Sequence, residues 1–235
     1  MNMANNLNFP AETTPYGHTR ASAQRNKVLR NTYWLLALSL LPTVLGAWVG
    51  VATGITQYLS GGIGLVVFLG GAFGFMYAIE KTKNSGAGVP VLLAFTFFMG
   101  LMVSRLISMV LGFKNGPDLI MTAFGGTAGV FFVMASLASV IKRDLSGMGK
   151  WLFVGAMVLM VGGVINVFVG SSAGMMALSV AAIGIFSAYM LYDLKQIIDG
   201  GETNYISATL VLYLDIFNVF QSLLSLLGIF GGERD

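Results

Sequence analysis

Three ionisable residues lie inside the long apolar stretches of this sequence: Arg105, Asp193 and Asp215. If those stretches cross a membrane, each ionised side chain costs about 2.5–3.5 kcal/mol at the centre of a helix. Such residues usually pair with one another or face a polar cavity, and they often mark ion or proton pathways. We therefore take these three as the first candidates for function.

The two aspartates are expected to lie at nearly the same depth. Asp193 is near the end of the sixth apolar stretch, Asp215 is in the first half of the seventh, and the short link 200–204 joins the two stretches. At 1.5 Å of rise per residue, their carboxyl groups lie roughly 9 and 13 Å from the membrane boundary at which the link sits. Antiparallel neighbouring helices with so short a link should bring the two groups together.

Two carboxyl groups a few ångströms apart and away from water cannot both ionise cheaply, so they tend to share one proton. A protonated pair can join two helices through a hydrogen bond. A doubly ionised pair repels, and it can open the bundle or transiently bind Ca²⁺, which prefers carboxylate oxygen. We therefore interpret Asp193 and Asp215 as a candidate dyad that senses protons or cations. No resident cofactor is expected.

Polar residues on the same two helices support this interpretation. Tyr189, one turn before Asp193, and Tyr213 are candidate donors to the dyad, while Asn218 and Ser222 extend the polar face beyond Asp215.

An alternative interpretation places Asp193 in water at the end of its helix, beside Lys195, and pairs Asp215 with an Asn or Tyr.

Arg105 lies toward the end of the third stretch, within roughly two turns of the other membrane surface. Its long side chain can extend to that surface. The alternative is that Arg105 lines an outer vestibule or pairs with a carboxylate.

An enzyme is not expected. Cysteine is absent and the only histidine, His18, precedes the first apolar stretch, so thiol catalysis and a histidine base within the membrane are excluded. Aspartyl proteolysis within the membrane also uses two aspartates on neighbouring helices, and it remains the enzymatic alternative. The Gly-x-Gly-Asp motif expected around one of those acids is missing.

The elements that must position these residues are membrane-spanning helices. The chain has 235 residues, of which 56% are hydrophobic and only 10% charged, against about 25% charged in soluble domains. The apolar residues form blocks of about twenty, the length a helix needs to cross a bilayer. We predict an all-α bundle of seven spans over residues 31–235, preceded by a flexible tail over residues 1–30. The predicted spans are 33–52, 60–79, 91–113, 119–141, 151–169, 173–193 and 206–230.

Basic residues in the short loops predict the orientation. Ten Lys and Arg residues fall on the side of the N-terminus and two on the other side. Because Lys and Arg are retained in the cytoplasm, the N-terminus is predicted to be cytoplasmic and the C-terminus periplasmic, with residues 233–235 outside, if the seventh segment crosses fully.

Glycine pairs four residues apart predict close helix packing. These pairs are Gly46 with Gly50, Gly70 with Gly74, and Gly125 with Gly129. Packing within the bundle is favoured over dimerisation, because seven helices offer many internal partners.

The sequence resembles the Bax inhibitor-1 family along nearly its whole length. The resemblance is sharpest in the dipeptide YD at 192–193 and in LYLDIFNVF at 212–220, which follows the family pattern Leu-Tyr-x-Asp-x-x-Asn-x-Phe. The segments KVLRNTY at 27–33 and GGETNYI at 200–206 resemble a bacterial inner-membrane branch of that family.

The resemblance implies a seven-helix bundle with the last helix in the middle and an aspartyl dyad that falls on Asp193 and Asp215. In family members that dyad is linked to a pH-sensitive calcium leak. For the bacterial branch the resemblance implies another activity: binding and restraining the membrane-anchored AAA protease FtsH, in company with HflK and HflC. A flexible cytoplasmic tail would suit a protease that grips a substrate end.

Overall fold

The computed structural model describes residues 15–58 and 61–232, and these residues form helices and short connections without a β-strand. The predicted all-α fold is confirmed, and the predicted spans agree with the helices within a few residues at most ends. The helices are α1 (Pro15–Thr53), α2 (Gly61–Thr82), α3 (Gly88–Leu111), α4 (Gly116–Val140), α5 (Met148–Val169), α6 (Ser172–Asp199) and α7 (Tyr205–Gly231), with a short 3₁₀ helix, Ile55–Tyr58, after α1.

All seven helices are long and apolar enough to cross a bilayer, the first of them from Gln24 onward. The chain is therefore a multi-pass membrane protein. The links α2–α3 and α4–α5 contain Lys83, Lys142 and Arg143, and further lysines lie in the helices close to these links and to the α6–α7 link: Lys81, Lys150 and Lys195. We call the end of the bundle where these links lie the basic end.

The first helix extends further back than the composition predicts. α1 already begins at Pro15, inside the predicted tail of residues 1–30, and Val28 is buried against the bundle. The side chain of Val28 thus belongs to the core. Residues 1–14 and 233–235 lie outside the described residues. The predictions for this part of the tail and for the C-terminal segment therefore concern residues that the structure does not describe.

The last helix lies in the middle of the bundle, as predicted. α7 packs against α1, α2, α3, α4 and α6. Its fully enclosed side chains include Leu212, Tyr213, Val219 and Leu224. In contrast, α2 and α5 lie at the periphery, where most of their apolar side chains face outward. Any charged group on the inner face of α7 is therefore surrounded by protein.

Close packing of α1 on α3 depends on glycine. A Cβ atom at Gly46 would overlap the carbonyl oxygen of Phe97, and one at Gly100 would overlap the carbonyl oxygen of Thr43. The pair Gly46 and Gly50 thus mediates packing within the bundle. The other two predicted pairs do not, because a Cβ atom at any of those four glycines meets no atom within 4 Å among the described residues.

The link between α6 and α7 holds the two helices in register. Gly200 ends α6 with a φ of 84°, a left-handed conformation that suits glycine. Asn204 begins α7, because its Oδ1 accepts hydrogen bonds from the backbone N–H groups of Ile206 and Ser207, at 2.9 and 3.2 Å. These two caps fix how far along each helix the aspartates lie.

Candidate functional site

Asp193 and Asp215 lie close enough for their side chains to interact. Asp193 is on α6 and Asp215 is on α7, and the two helices are closely packed antiparallel neighbours. A carboxylate only accepts hydrogen bonds, so two carboxyl groups can be hydrogen-bonded to each other only when one carries a proton. The geometry is therefore suited to a pair that shares a proton.

Asp215 is enclosed by protein, with 4% of its surface exposed, whereas Asp193 is partly buried. Within the described part of the chain, no hydrogen-bond donor reaches Asp215 Oδ2. A buried polar atom without a partner is rare and needs an explanation. A proton held between the two acids, a water molecule or a cation would each satisfy this oxygen.

Lys195 forms its ion pair elsewhere. Its ammonium nitrogen lies 2.8 Å from Asp199 Oδ1, one turn further along α6. Asp193 instead faces Asp215, and Glu202 of the α6–α7 link also lies close enough to interact with Asp193. The arrangement differs from the alternative in which Asp193 stands in water beside Lys195.

Tyr189 lies near both aspartates, one turn before Asp193 on the same face of α6. Tyr213, the second predicted donor, points away from them. Its hydroxyl group is 2.8 Å from Thr43 Oγ1 and donates to the carbonyl oxygen of Thr96 at 3.4 Å. The reason is helix geometry, since residues two apart are separated by about 200° around the axis. The expectation that Tyr213 donates to the dyad is corrected accordingly.

Asn218 and Ser222 follow Asp215 on the same side of α7, and both are partly buried. The Asn218 side-chain nitrogen donates to the carbonyl oxygen of Leu214 at 2.7 Å, within its own helix. One of the two side-chain N–H groups of Asn218 is therefore used within α7.

Arg105 is exposed and lines a cavity of about 360 Å³ at the end of the bundle opposite the basic end. Thr56 and Gln221 contribute polar atoms to the same cavity. Counted along the helices, Arg105 lies roughly 10 Å further from the basic end than Asp215 does. The structure therefore places Arg105 in a separate cavity rather than beside the dyad.

Among the residues that the structure describes, no group of three or more His, Cys, Asp and Glu side chains could hold a metal ion. The dyad supplies two carboxyl groups, fewer than the six to eight oxygen ligands of a stable calcium site. Two carboxyl groups alone are therefore too few to form a stable calcium site.

At the basic end, a polar contact that the sequence does not reveal joins the α6–α7 link to the α2–α3 link. Asn204 Nδ2 donates to Asn84 Oδ1 at 2.8 Å and to the carbonyl oxygen of Lys83 at 3.2 Å. Glu202 in turn accepts a hydrogen bond from the Asn204 backbone N–H at 2.7 Å. The α6–α7 link is thereby tied to the α2–α3 link. Asn before an apolar run predicts the start of a helix. It does not predict a hydrogen bond to a residue 120 positions away in the chain.

Residues 25–232 match the family described as inhibitor of apoptosis-promoting Bax1. The chain is 39% identical over 212 residues to an *Escherichia coli* K12 protein named modulator of FtsH protease YccA, covering 90% of this chain and 94% of that protein. It is 35% identical over 221 residues to an uncharacterized protein of *Neisseria meningitidis* serogroup A, covering 93% and 97%. An uncharacterized membrane protein of *Vibrio cholerae* is 37% identical over 206 residues, covering 88% and 91%.

Proposed function

This chain belongs to the Bax inhibitor-1 family of integral membrane proteins, and from that membership we propose that it binds and modulates the membrane AAA protease FtsH. In this proposal the protein is not an enzyme. It lies in a bacterial inner membrane with its N-terminus in the cytoplasm and its C-terminus in the periplasm, and it meets FtsH in company with HflK and HflC.

The observation that carries this proposal is the similarity to the *Escherichia coli* modulator, which extends over nine-tenths of both chains. A second strain's relative is named an inner membrane protein, at the same 39% identity. The excess of Lys and Arg at the basic end supports a cytoplasmic location for that end. The N-terminal residues would then be accessible to a protease that grips a chain end from the cytoplasm.

Deletion of residues 1–23 tests the role of the N-terminal segment. The cut stops before Gln24, where the first span begins, so that the buried Val28 stays in place. We expect slower turnover by FtsH and weaker crosslinking to it in cells. A variant in which residues 2–23 are replaced by a Gly/Ser linker of equal length distinguishes the effect of the segment's sequence from the effect of its length. Unchanged turnover and unchanged crosslinking in both variants would count against a role for this segment.

Modulation itself is tested on a membrane substrate of FtsH. The half-life of that substrate should lengthen when the full-length protein is overproduced, and crosslinking should capture FtsH together with HflK and HflC. Overproduction of an unrelated seven-span protein at equal level is the control. Equal half-lives in the two strains would contradict the proposal.

A second candidate function is a pH-gated calcium leak switched by Asp193 and Asp215. Its support is the proximity of the two aspartates, together with Asp215 Oδ2, which lies inside the bundle and meets no hydrogen-bond donor among the described residues. Ionisation of both acids would force them apart and separate α6 from α7 at this depth. A change in pH would thereby change access to a path through the bundle.

Purified protein in calcium-loaded vesicles tests the leak. The release of calcium should depend on pH, and Asp215→Asn should remove that dependence because an amide does not titrate. Asp118→Asn is the matched control, since Asp118 is exposed in the first turn of α4 at the opposite end. A pH profile that is the same in Asp215→Asn and in the parent would exclude this gate, whatever the outcome with FtsH.

A further inference from the structure

A long apolar groove runs along the outside of the bundle between α1 and α4. Its floor is formed by α3 and α7, which contribute Val103, Ile107, Tyr213 and Phe217 to its lining, and its volume is about 860 Å³. On α1 the lining extends from Tyr33 to Val51, a length of roughly 27 Å at 1.5 Å per residue. The groove is therefore nearly as long as the hydrocarbon layer is thick.

The groove offers an apolar surface, although four hydroxyl groups lie along it. The hydroxyl groups of Thr43 and Tyr213 are hydrogen-bonded to each other, and that of Thr127 donates to the carbonyl oxygen of Ala123 at 2.7 Å. These three groups are satisfied by the protein, so the groove provides little attraction for an ion or a polar solute at their positions. The fourth hydroxyl group, on Tyr33, lies at the end of the groove nearest the basic end. An apolar occupant fits it better.

The dimensions distinguish between apolar occupants. A volume of about 860 Å³ along roughly 27 Å corresponds to a mean width of about 6 Å. An α-helix with its side chains is about 10–12 Å across. A groove of this width is too narrow to enclose a whole α-helix of a partner protein, whereas a lipid acyl chain, which is thinner than a helix, can lie along it.

The charges at the basic end of the groove select the headgroup. Arg30 precedes Tyr33 by three residues and Ala37 by seven, so it continues the groove-facing side of α1 to its end, and it is exposed. On the other side, α4 is followed by exposed Lys142 and Arg143. Asp144, which follows them in the chain, accepts hydrogen bonds from the backbone N–H and the hydroxyl group of Ser146, at 2.8 and 2.9 Å.

We propose that this groove is a binding site for an anionic phospholipid, with an acyl chain between α1 and α4 and the phosphate group beside Arg30. Basic residues at helix ends on one membrane face recognise anionic headgroups in this way. The site is distinct from the dyad, because it lies against the side of α7 that carries Tyr213 and Phe217.

Quenching of tryptophan fluorescence by brominated lipids tests this site. The three native tryptophans are first replaced by Phe, and Leu40→Trp then places a single fluorophore in the groove. Leu40 is ten residues after Arg30, roughly 15 Å away along α1, beside the middle of an acyl chain whose phosphate is at Arg30. The matched control is Leu41→Trp, at the same depth but outside the groove lining, where 62% of the Leu41 surface is exposed.

The protein is placed in vesicles that contain phosphatidylglycerol and phosphatidylcholine, with one or the other brominated at mid-chain. At Leu40→Trp we expect an apparent preference of about fivefold for the anionic lipid, the effect of about one basic residue near a membrane surface. At Leu41→Trp we expect no preference. Adding Arg30→Gln to the Leu40→Trp variant should abolish the preference for the anionic lipid. Lys150 is an exposed cation at the start of α5, and adding Lys150→Gln instead should leave that preference unchanged.

Two outcomes overturn the proposal. Equal lipid preference at Leu40→Trp and Leu41→Trp means that the groove holds only ordinary surrounding lipid. Quenching of Leu40→Trp by neither lipid means that the groove is closed or filled by protein, such as a second copy of the chain. Circular dichroism of each variant, compared with the parent, verifies that the helices are intact in every case.

Discussion

The hydroxyl oxygen of Tyr213 lies 2.8 Å from Thr43 Oγ1, at mid-depth in the bundle. Tyr213 also donates to the carbonyl oxygen of Thr96, so one phenol joins α7 to both α1 and α3. The ring is 1% exposed and packs edge to face against Phe95. The central helix is thereby fixed in rotation, with Asp215 directed toward α6.

Tyr213→Phe should lower the free energy of unfolding by about 0.5–1.5 kcal/mol, because the variant loses the buried hydroxyl group that contacts Thr43 and Thr96 and otherwise keeps the shape of the side chain. Thr43 keeps its bond to the carbonyl oxygen of Ser39, which limits the loss. Denaturation in detergent, followed by circular dichroism, measures the change. Tyr58→Phe is the control, since Tyr58 is 83% exposed and should give the stability of the parent.

Gly100→Ala should destabilise the bundle by at least about 2 kcal/mol, because a methyl group there overlaps backbone of α1 that has little freedom to move. Gly74→Ala is the matched comparison on α2, where the added methyl group meets open space. That variant should be neutral or slightly stabilising, since alanine favours helix by about 0.8–1 kcal/mol over glycine. Thermal melting of both variants measures the change in stability. An equal loss of stability in Gly100→Ala and Gly74→Ala would contradict the packing role of Gly100.

Asn204 has two functions that two substitutions separate. Asn204→Ala removes the α7 cap and the bond to the α2–α3 link, and it should cost about 1–2 kcal/mol. Asn204→Asp keeps the acceptor that caps α7 but loses the donors to Asn84 and Lys83. Hydrogen exchange should then become faster at residues 83–87 in both variants, and at residues 206–208 only in Asn204→Ala. Faster exchange at both segments in Asn204→Asp would refute the assignment of two separate functions to Asn204.

Asp144, outside the membrane-spanning helices, should titrate below the ordinary aspartate value of 3.8. Hydrogen bonds from the backbone N–H and then the hydroxyl group of Ser146 lower its pKa. A lowered pKa in the folded state stabilises the turn above the unfolded-state pKa, and this contribution is lost as the pH falls through the folded-state value. Ser146→Ala should raise the pKa only in part, because the backbone bond remains. Carbon-13 NMR of labelled aspartate measures both values.

The sequence was sufficient to predict the spans, because blocks of about twenty apolar residues have one inexpensive arrangement in a bilayer. It was also sufficient to place Asp193 and Asp215 at similar depth, since a link of a few residues leaves two antiparallel helices little freedom to slide. The direction of Tyr213 was within reach of the same reasoning, because the helical period separates it from Asp215.

Other features depend on contacts between distant segments. The pairs Gly46 with Gly50 and Gly70 with Gly74 have the same spacing, yet only the first meets another helix. The bond between Asn204 and Asn84 joins two links that are far apart in the chain. Local sequence patterns carry no information about which helices become neighbours. These contacts can therefore be identified only from the three-dimensional structure.

The segment that fills the middle of the bundle is synthesised after the six helices that precede it in the chain. Chains emerge N-terminus first, so α1 to α6 must enter the bilayer before the helix they surround exists. Until α7 arrives, Thr43 lacks its contact with Tyr213, Asp193 lacks its contact with Asp215, and the centre of the assembly is open to lipid. Insertion of α7 is therefore the step that completes the core, and a chain that stops before Tyr205 would present a ring of helices with no centre.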